Sequence, residues 1–428
     1  MGVNPNTMTF KTVFSAEYQM SHYREPVYQI FADSRLESSL TKGQTIARSY
    51  ASDVQVNDMG ADGSYSTQAI VDTQETLTIN KEKEASIYIK KLDELQAHLP
   101  LKQKYGRKLA NALVNQIDGD VLLAVYQGAG TTLDDGDFAG TAGNGFAVTA
   151  TNVATVFATA MQKLRLKNTI YNKRFKSSAG LKLEVPEGMP AAAISPEILT
   201  AIELYLGGKD TLLGDQTSRN GYVGYFHGFE CFSTNSLSWT ATLELPTIPT
   251  DTDVMTINGV TLTADEDGAA VGAGHYSIQA TVDLAAASLV QLINGTGTAG
   301  VDNYIELSTA DRRKLKNITA TYDSATNLLT LVSSGWGTVP VTEAFTASGN
   351  IFTVGKEKTH NIFAIGKSIS LVIQKNPSME ENPVSGKIGR DYIAWTVYGS
   401  KVFVDQAPQI VSLAVLSTSY TGAATVSN

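Results

Sequence analysis

A single cysteine, Cys231, in 428 residues excludes an intrachain disulfide framework and any metal site built on several thiolates. The five histidines, His22, His98, His227, His275 and His360, never fall at a metal-binding spacing such as H-x-x-x-H, and none neighbours the cysteine. There is no G-x-S-x-G nucleophile turn. Ile365-Gly366-Lys367-Ser368 ends like a phosphate-binding loop, but position 361 is Asn where that loop needs Gly, and an apolar run follows instead of a helix. Asp134-Asp135-Gly136-Asp137 lacks the alternation of a calcium loop. No apolar run approaches the ~18 residues of a membrane helix, and the first residues, MGVNPNTMTF, lack the basic-then-apolar order of a secretion signal. The expectation is a chain with no cofactor, no bound metal, no membrane segment and no enzymatic activity.

Positive charge is missing locally as well. From Ser49 to Asn80 there is no Lys, Arg or His, while Asp53, Asp58, Asp62, Asp72 and Glu75 are all present. The ends of this stretch alternate in the strand manner and its middle, Asn57 to Gly63, is turn-rich, which predicts a long β-hairpin over 45–80. With five carboxylates and few large apolar groups it cannot bury itself. The opposite bias occurs from Met161 to Leu183, where Lys163, Arg165, Lys167, Lys173, Arg174, Lys176 and Lys182 stand without one acidic residue. A solvated loop is the plain reading; the sharper one is that 163–176 meets phosphates or the acidic hairpin of another copy. The overall charge of −9 argues against a nucleic-acid-binding surface over the whole molecule.

What the chain does have is apolar mass. It is 43% hydrophobic and 18% charged, so two or three domains with a large core are expected. The strongest helical signal runs from Leu101 to Ala129. Pro100 precedes its first turn and Gly128 and Gly130 follow its end. Tyr105, Leu109, Leu113, Ile117, Val121 and Val125 form an i+4 ladder. Each such step overshoots a full turn by roughly 40°, so the ladder winds around the helix and predicts different partners along its length. A helix is expected from Ser15 to Phe31, another from Val153 with Asn152 as N-cap, and another after Ser195-Pro196. Tyr398-Gly399-Ser400 reads as a turn between two short strands. Residues 247–353 change character: an Asn258-Gly259 hairpin, a helix near Leu284 to Ile293, and strands at Ile305–Leu307, Ile318–Tyr322 and Leu328–Val332. Arg312, Arg313, Lys314 and Lys316 read there as a solvated turn.

Several motifs together carry a family resemblance. Thr76-Leu77-Thr78-Ile79-Asn80-Lys81, followed by Lys91-Leu92-Asp93-Glu94-Leu95-Gln96, resembles a passage from extended loop to spine helix. Gly221-Tyr222-Val223-Gly224 through His227-Gly228-Phe229 to Ser233-Thr234-Asn235 is similar to a G-x-V-G-x-I-x-G-F signature ending in S-x-N. His360 to Ala364, Tyr398 to Val402 and Ile410 to Leu413 resemble its closing pattern. The family is the tailed-bacteriophage major capsid protein with the Hong Kong 97-like fold. The resemblance implies an α+β chain with an N-terminal arm (1–44) and an extended loop (45–80). A peripheral domain with the spine helix (81–130 and 376–428), an axial domain (131–246 and 354–375) and a β-rich insertion domain (247–353) complete it. It implies a self-assembling icosahedral head shell of hexamers and pentamers enclosing packaged DNA in the virion, made in the host bacterial cytoplasm. Portal, scaffolding or decoration proteins and non-specific DNA contacts would be its other partners. An encapsulin-like bacterial nanocompartment shell is the alternative. Because 49–80 holds no lysine, the lysine–asparagine cross-link of some family members is not expected.

Overall fold

The computed structural model describes residues 26–417 except 38–42, 52–53, 55, 60–61, 66, 70–71, 97–100, 168–188, 210–223, 336, 348 and 354–355. The expected N-terminal helix therefore lies outside the described residues up to position 25; of its described part, Tyr28–Phe31 is helical. Part of the glycine-rich signature at 221–223 also lies outside them.

The helix Leu101–Gln127 is about 40 Å long at 1.5 Å per residue. Its first half lies along a four-stranded sheet ordered Ala32–Asp33, Ile369–Pro383, Gly389–Lys401, Lys81–Lys90. Its second half buries Ile117, Val121, Leu122 and Val125 against a second, ten-stranded sheet. The wound ladder thus meets the expected change of partners. Asp118 on this helix accepts from the backbone N–H of Val27 (2.9 Å) and Tyr28 (2.8 Å), fixing the first described segment to the spine.

The ten-stranded sheet is built around Lys358–Ile365. One edge of that strand pairs along its length with Ile410–Leu416; the other pairs first with Ser238–Glu244 and then with Pro190–Ile194. Its second half, 362–365, is apolar on both sides because both faces are covered. Ile362, Ala364, Ala191 and Ala193 face the spine helix, while Phe363, Ala192, Ile194, Val411 and Leu413 face the helices Val153–Leu166 and Pro196–Gly207. Phe157 meets Phe226 and Phe363 edge-on there, with both ring centroids 4.9 Å away. The period of two in this division is the strand pleat itself.

Three groupings differ from the sequence expectation. The boundary at 375/376 falls inside one strand, Ile369–Pro383. The terminal strand Ile410–Leu416, expected beside the spine-helix sheet, belongs to the ten-stranded one, where its apolar residues are buried on both faces. Residues 247–353 do not close on themselves either. Their Ile318–Asp323 and Leu328–Ser333 strands extend the large sheet through Ser238–Glu244, and Trp239, Ala241 and Leu243 lie in the same core as Met255, Leu262, Leu289 and Leu331.

Local expectations divide similarly. The Asn258-Gly259 hairpin forms, with φ values of 50° and 70° as a type I′ turn requires, and a helix runs Val282–Asn294. Ile305–Leu307 is not a strand. Arg312 to Lys314 lie on the helix Thr309–Leu315, and Arg312 donates to the carbonyls of Leu292 and Ile293 (both 2.7 Å), capping the preceding helix. Asn152 does not cap its helix: its Oδ1 accepts from Thr149 N (2.8 Å) in the loop before it. Tyr398-Gly399-Ser400 is not a turn but the end of the strand Gly389–Lys401. A Cβ on Gly399 would sit 2.5 Å from the carbonyl oxygen of Thr78. The glycine marks a close backbone approach, not a reversal.

Candidate functional site

The hairpin pairs Thr45–Ala51 with Asp72–Thr78 in antiparallel register. Its base is anchored. Leu77 and Ile79 are buried with Val372 and Phe403, and Ile46 and Val397 pack against them. Lys401 Nζ donates to the Thr76 carbonyl (2.9 Å), and Val404 N donates to Glu75 Oε2 (3.2 Å). Arg48, just before the cation-free stretch, pairs with Asp405 and lies 5.1 Å from the centroid of the Phe403 ring.

The tip is the reverse of the base. Val54, Val56, Met59 and Tyr65 stand in solvent, Val56 at 99% and Tyr65 at 82% exposure. Isolated exposed apolar residues are ordinary, but four on one projecting loop mark an interaction surface. Asp58 and Asp62 are exposed among them. Asp62 accepts from the Ser64 hydroxyl (2.7 Å) and N–H (3.1 Å), which hold its carboxyl below the usual range. Sequence reasoning weighed the carboxylates and passed over these apolar residues, although V-x-V before a turn with no pairing partner was a usable signal.

The expected counterpart is less available. Lys163 ion-pairs with Asp137 at 3.2 Å; Arg165 and Lys167 are exposed. Asp53, Lys173, Arg174 and Lys176 lie outside the described residues. Among the described residues no ion pair joins Asp58, Asp62, Asp72 or Glu75 to Lys163, Arg165 or Lys167 within one chain.

A second exposed apolar group lies at the far end of the four-stranded sheet. Leu92 and Leu95 on the short helix Lys91–Gln96 are exposed, as is Ile388, at 84%, whose carbonyl accepts from Lys91 N at 3.2 Å. Lys90, Lys387 and Arg390 rim it, the last paired with Glu381 and Lys387 lying 5.6 Å from the centroid of the Tyr88 ring. The tip and this group both expose apolar side chains, and the group is bordered by charges of both signs, since Asp93 and Glu94 lie on its helix.

The interior offers little chemistry by comparison. Burial pushes the Cys231 thiol up to about 12, away from the thiolate a nucleophile needs. A cleft of about 310 Å³ is lined by Ser195, Glu197, Thr234, Asn235, Thr338 and Thr359. Burial raises the Glu197 pKa. Among the described residues no three His, Cys, Asp or Glu side chains stand together as a metal site would require, and no helix is long and apolar enough to cross a membrane.

No family model and no curated protein sequence matches the chain. Solved structures do. A chain from Mycobacterium phage Che8 superposes with a TM-score of 0.56 at 14% identity, over 95% of this chain and 97% of that one. A chain of the capsid structure of the cyanophage P-SCSP1u gives a TM-score of 0.50 at 12% identity, over 96% and 94%. The mixed α+β architecture described above is, over nearly the whole chain, a phage capsid fold.

Proposed function

We propose that this chain is the major capsid protein of a tailed bacteriophage. Its copies assemble as hexamers and pentamers into an icosahedral head shell around packaged DNA. In this reading 45–80 is the extended loop of a Hong Kong 97-like subunit, the spine helix and its four-stranded sheet are the peripheral domain, and the ten-stranded sheet is the axial domain. Residues 247–353 are then an insertion into the axial domain. Nothing in the geometry favours a nanocompartment shell.

The observation that carries the proposal is the hairpin, anchored at its base and apolar at its tip. A projecting loop with four bare apolar side chains is completed by another copy. The acceptor we assign is the exposed apolar group Leu92, Leu95 and Ile388, in preference to the cations from Lys163 onward, because the bare apolar side chains of the tip call for apolar cover. Each Val or Met fully buried contributes about 1.5–3 kcal/mol, so a shell that repeats the contact at every subunit depends on it strongly.

The test is Val56→Asp with Met59→Asp, and separately Leu95→Asp with Ile388→Asp, followed by sedimentation velocity and negative-stain microscopy. Both variants should stay folded, by circular dichroism, and remain unassembled. Closed shells from the hairpin variant would refute the proposal. Shells from the Leu95 and Ile388 variant alone would move the acceptor elsewhere.

A further inference from the structure

Residues 247–353 contain four cations, Arg312, Arg313, Lys314 and Lys316, all within one five-residue stretch, against eleven carboxylates spread over the segment. The structure turns this sequence asymmetry into a spatial one. The strand Val260–Asp265 begins at the Asn258-Gly259 turn, and Asn258 Nδ2 donates to the Lys314 carbonyl (3.0 Å), which holds the basic helix at that end. Arg313, Lys314 and Lys316 are exposed there, with Lys314 paired to Asp311 of the same helix (2.9 Å).

The same strand ends about 17 Å away, five steps of roughly 3.3 Å, at an acidic pole. Glu266 and Asp267 follow it directly. Thr252 N donates to the Ala264 carbonyl (2.8 Å), which places Asp251 at this end. Ala270 N donates to the Val301 carbonyl (3.0 Å), and Gln279 Nε2 donates to the Asp302 carbonyl, which add Val301 and Asp302. All four carboxylates are exposed, and no ion pair reaches them among the described residues. Between them Val271, 78% exposed, and Val301 present apolar surface to water.

We infer that this segment binds head to tail to the same segment of a second copy, the acidic pole of one meeting the basic pole of the next. The occupant follows from the charges: the acidic pole with its two valines fits a cationic surface with aliphatic stems, and Arg313, Lys314 and Lys316 are one on the same segment. The contact is heterologous, so it propagates around a ring or along a row of subunits. It is separate from the hairpin contact and rests on the shell reading only in that assembly brings copies side by side. Being exposed and charged, it weakens steeply with salt, since screening acts over about 8 Å at physiological ionic strength.

Charge swapping in the full-length chain tests it. Asp251→Lys, Glu266→Lys, Asp267→Lys and Asp302→Lys together give a segment basic at both poles; Arg313→Glu with Lys316→Glu gives one acidic at both. Either variant alone should lose at least tenfold in self-association at 50 mM NaCl, read by sedimentation velocity. In assembled shells, each should dissociate at lower denaturant than the parent. An equimolar mixture of the two, and a chain carrying all six changes, should recover the parent behaviour. The milder Asp267→Asn with Asp302→Asn should show a partial loss if the lysine variant misfolds. Unchanged association in either reversed variant, or no recovery in the mixture, overturns the inference. Stronger association on reversing the acidic pole alone also overturns it, because it would mean a partner that is itself acidic. If shells form equally well in every variant, the shell reading stands and only this contact falls. If no variant or parent forms shells yet the salt-sensitive pairing follows the swap, the contact stands without the shell.

Discussion

Lowering the pH should loosen this protein through one buried side chain. His360 is 2% exposed in the central strand Lys358–Ile365. Its ring stacks on Tyr126 of the spine helix with centroids 3.7 Å apart, and its Nε2 lies 2.9 Å from the Thr240 hydroxyl on the neighbouring strand. Nδ1 has no hydrogen-bond partner among the described residues. Burial, with the Lys358 charge adding to it, lowers the imidazole from an ordinary 6.5 to about 3. The unfolded chain therefore takes up a proton that the folded chain refuses between those limits. The stability held above pH 6.5 is lost as pH falls toward 3, at about 1.4 kcal/mol per unit. At pH 4 the difference is 2.5 units, or about 3 kcal/mol, comparable with a large part of the stability of an ordinary domain. Carboxylates titrate in the same range, so the comparison is with His360→Gln. Urea midpoints at pH 7, 6, 5 and 4 can be followed by tryptophan fluorescence, because Trp239 adjoins Thr240 and donates to Glu357 Oε1 (3.2 Å). The variant should be the weaker protein at pH 7, through its lost stacking, with the gap closing or reversing by pH 4. Curves that stay parallel from pH 7 to 4 would refute the reasoning.

Two further substitutions probe the spine helix. Gly119→Ala should lower the melting temperature although alanine is favoured over glycine in helices by about 1 kcal/mol. Its Cβ would stand 2.5 Å from the Gly335 Cα, backbone against backbone, and overpacking of that kind costs about 1–3 kcal/mol and more where nothing yields; a raised melting temperature would show that the approach is not rigid. Tyr398→Phe removes a 2.6 Å hydrogen bond to buried Asp120, which keeps Gln116 Nε2 at 3.1 Å and Lys81 and Lys83 at 3.9 Å. The loss should be about 1.5–3 kcal/mol at neutral pH in a denaturant titration. Burial, then the Asp120 charge, pushes the Tyr398 phenol well above its usual value. The stability it confers is therefore whole below pH 10 and falls as pH rises beyond that, and the phenylalanine variant should be flatter in that range.

The elements legible in the sequence were those whose cause is local. The spine helix shows in its ladder and in Pro100; the hairpin at 258–259 shows in Asn-Gly, whose positive φ values few other pairs tolerate. Tyr398-Gly399-Ser400 was misread because glycine has two uses, reversal and close approach, and only the position of Thr78 distinguishes them. Arg312 could not be read as a cap, since its acceptors lie 19 and 20 residues earlier. Strand partners were the least legible. Ile410–Leu416 is apolar on both sides, and such a run fits the middle of any covered sheet; Ser238–Glu244 alternates polar and apolar, which hides that its polar face is largely covered as well. The hairpin was legible as a projecting loop but not as an apolar one, because a charge run is visible along a sequence whereas the burial of Leu77 and the exposure of Val56 are not.

The strand Ser238–Glu244 couples two regions that the sequence alone would separate. On one edge it pairs with Leu328–Ser333 and on the other with Lys358–His360 and Ile351–Phe352. Trimming away 247–353 would strip Trp239, Ala241 and Leu243 of their cover and leave a bare strand border, a template for unwanted β-pairing between chains. A shortened version would have to repaint this strand with polar residues at the same time. Cargo or epitopes are better grafted into the Asn258-Gly259 turn, which can be lengthened without disturbing the shared strand.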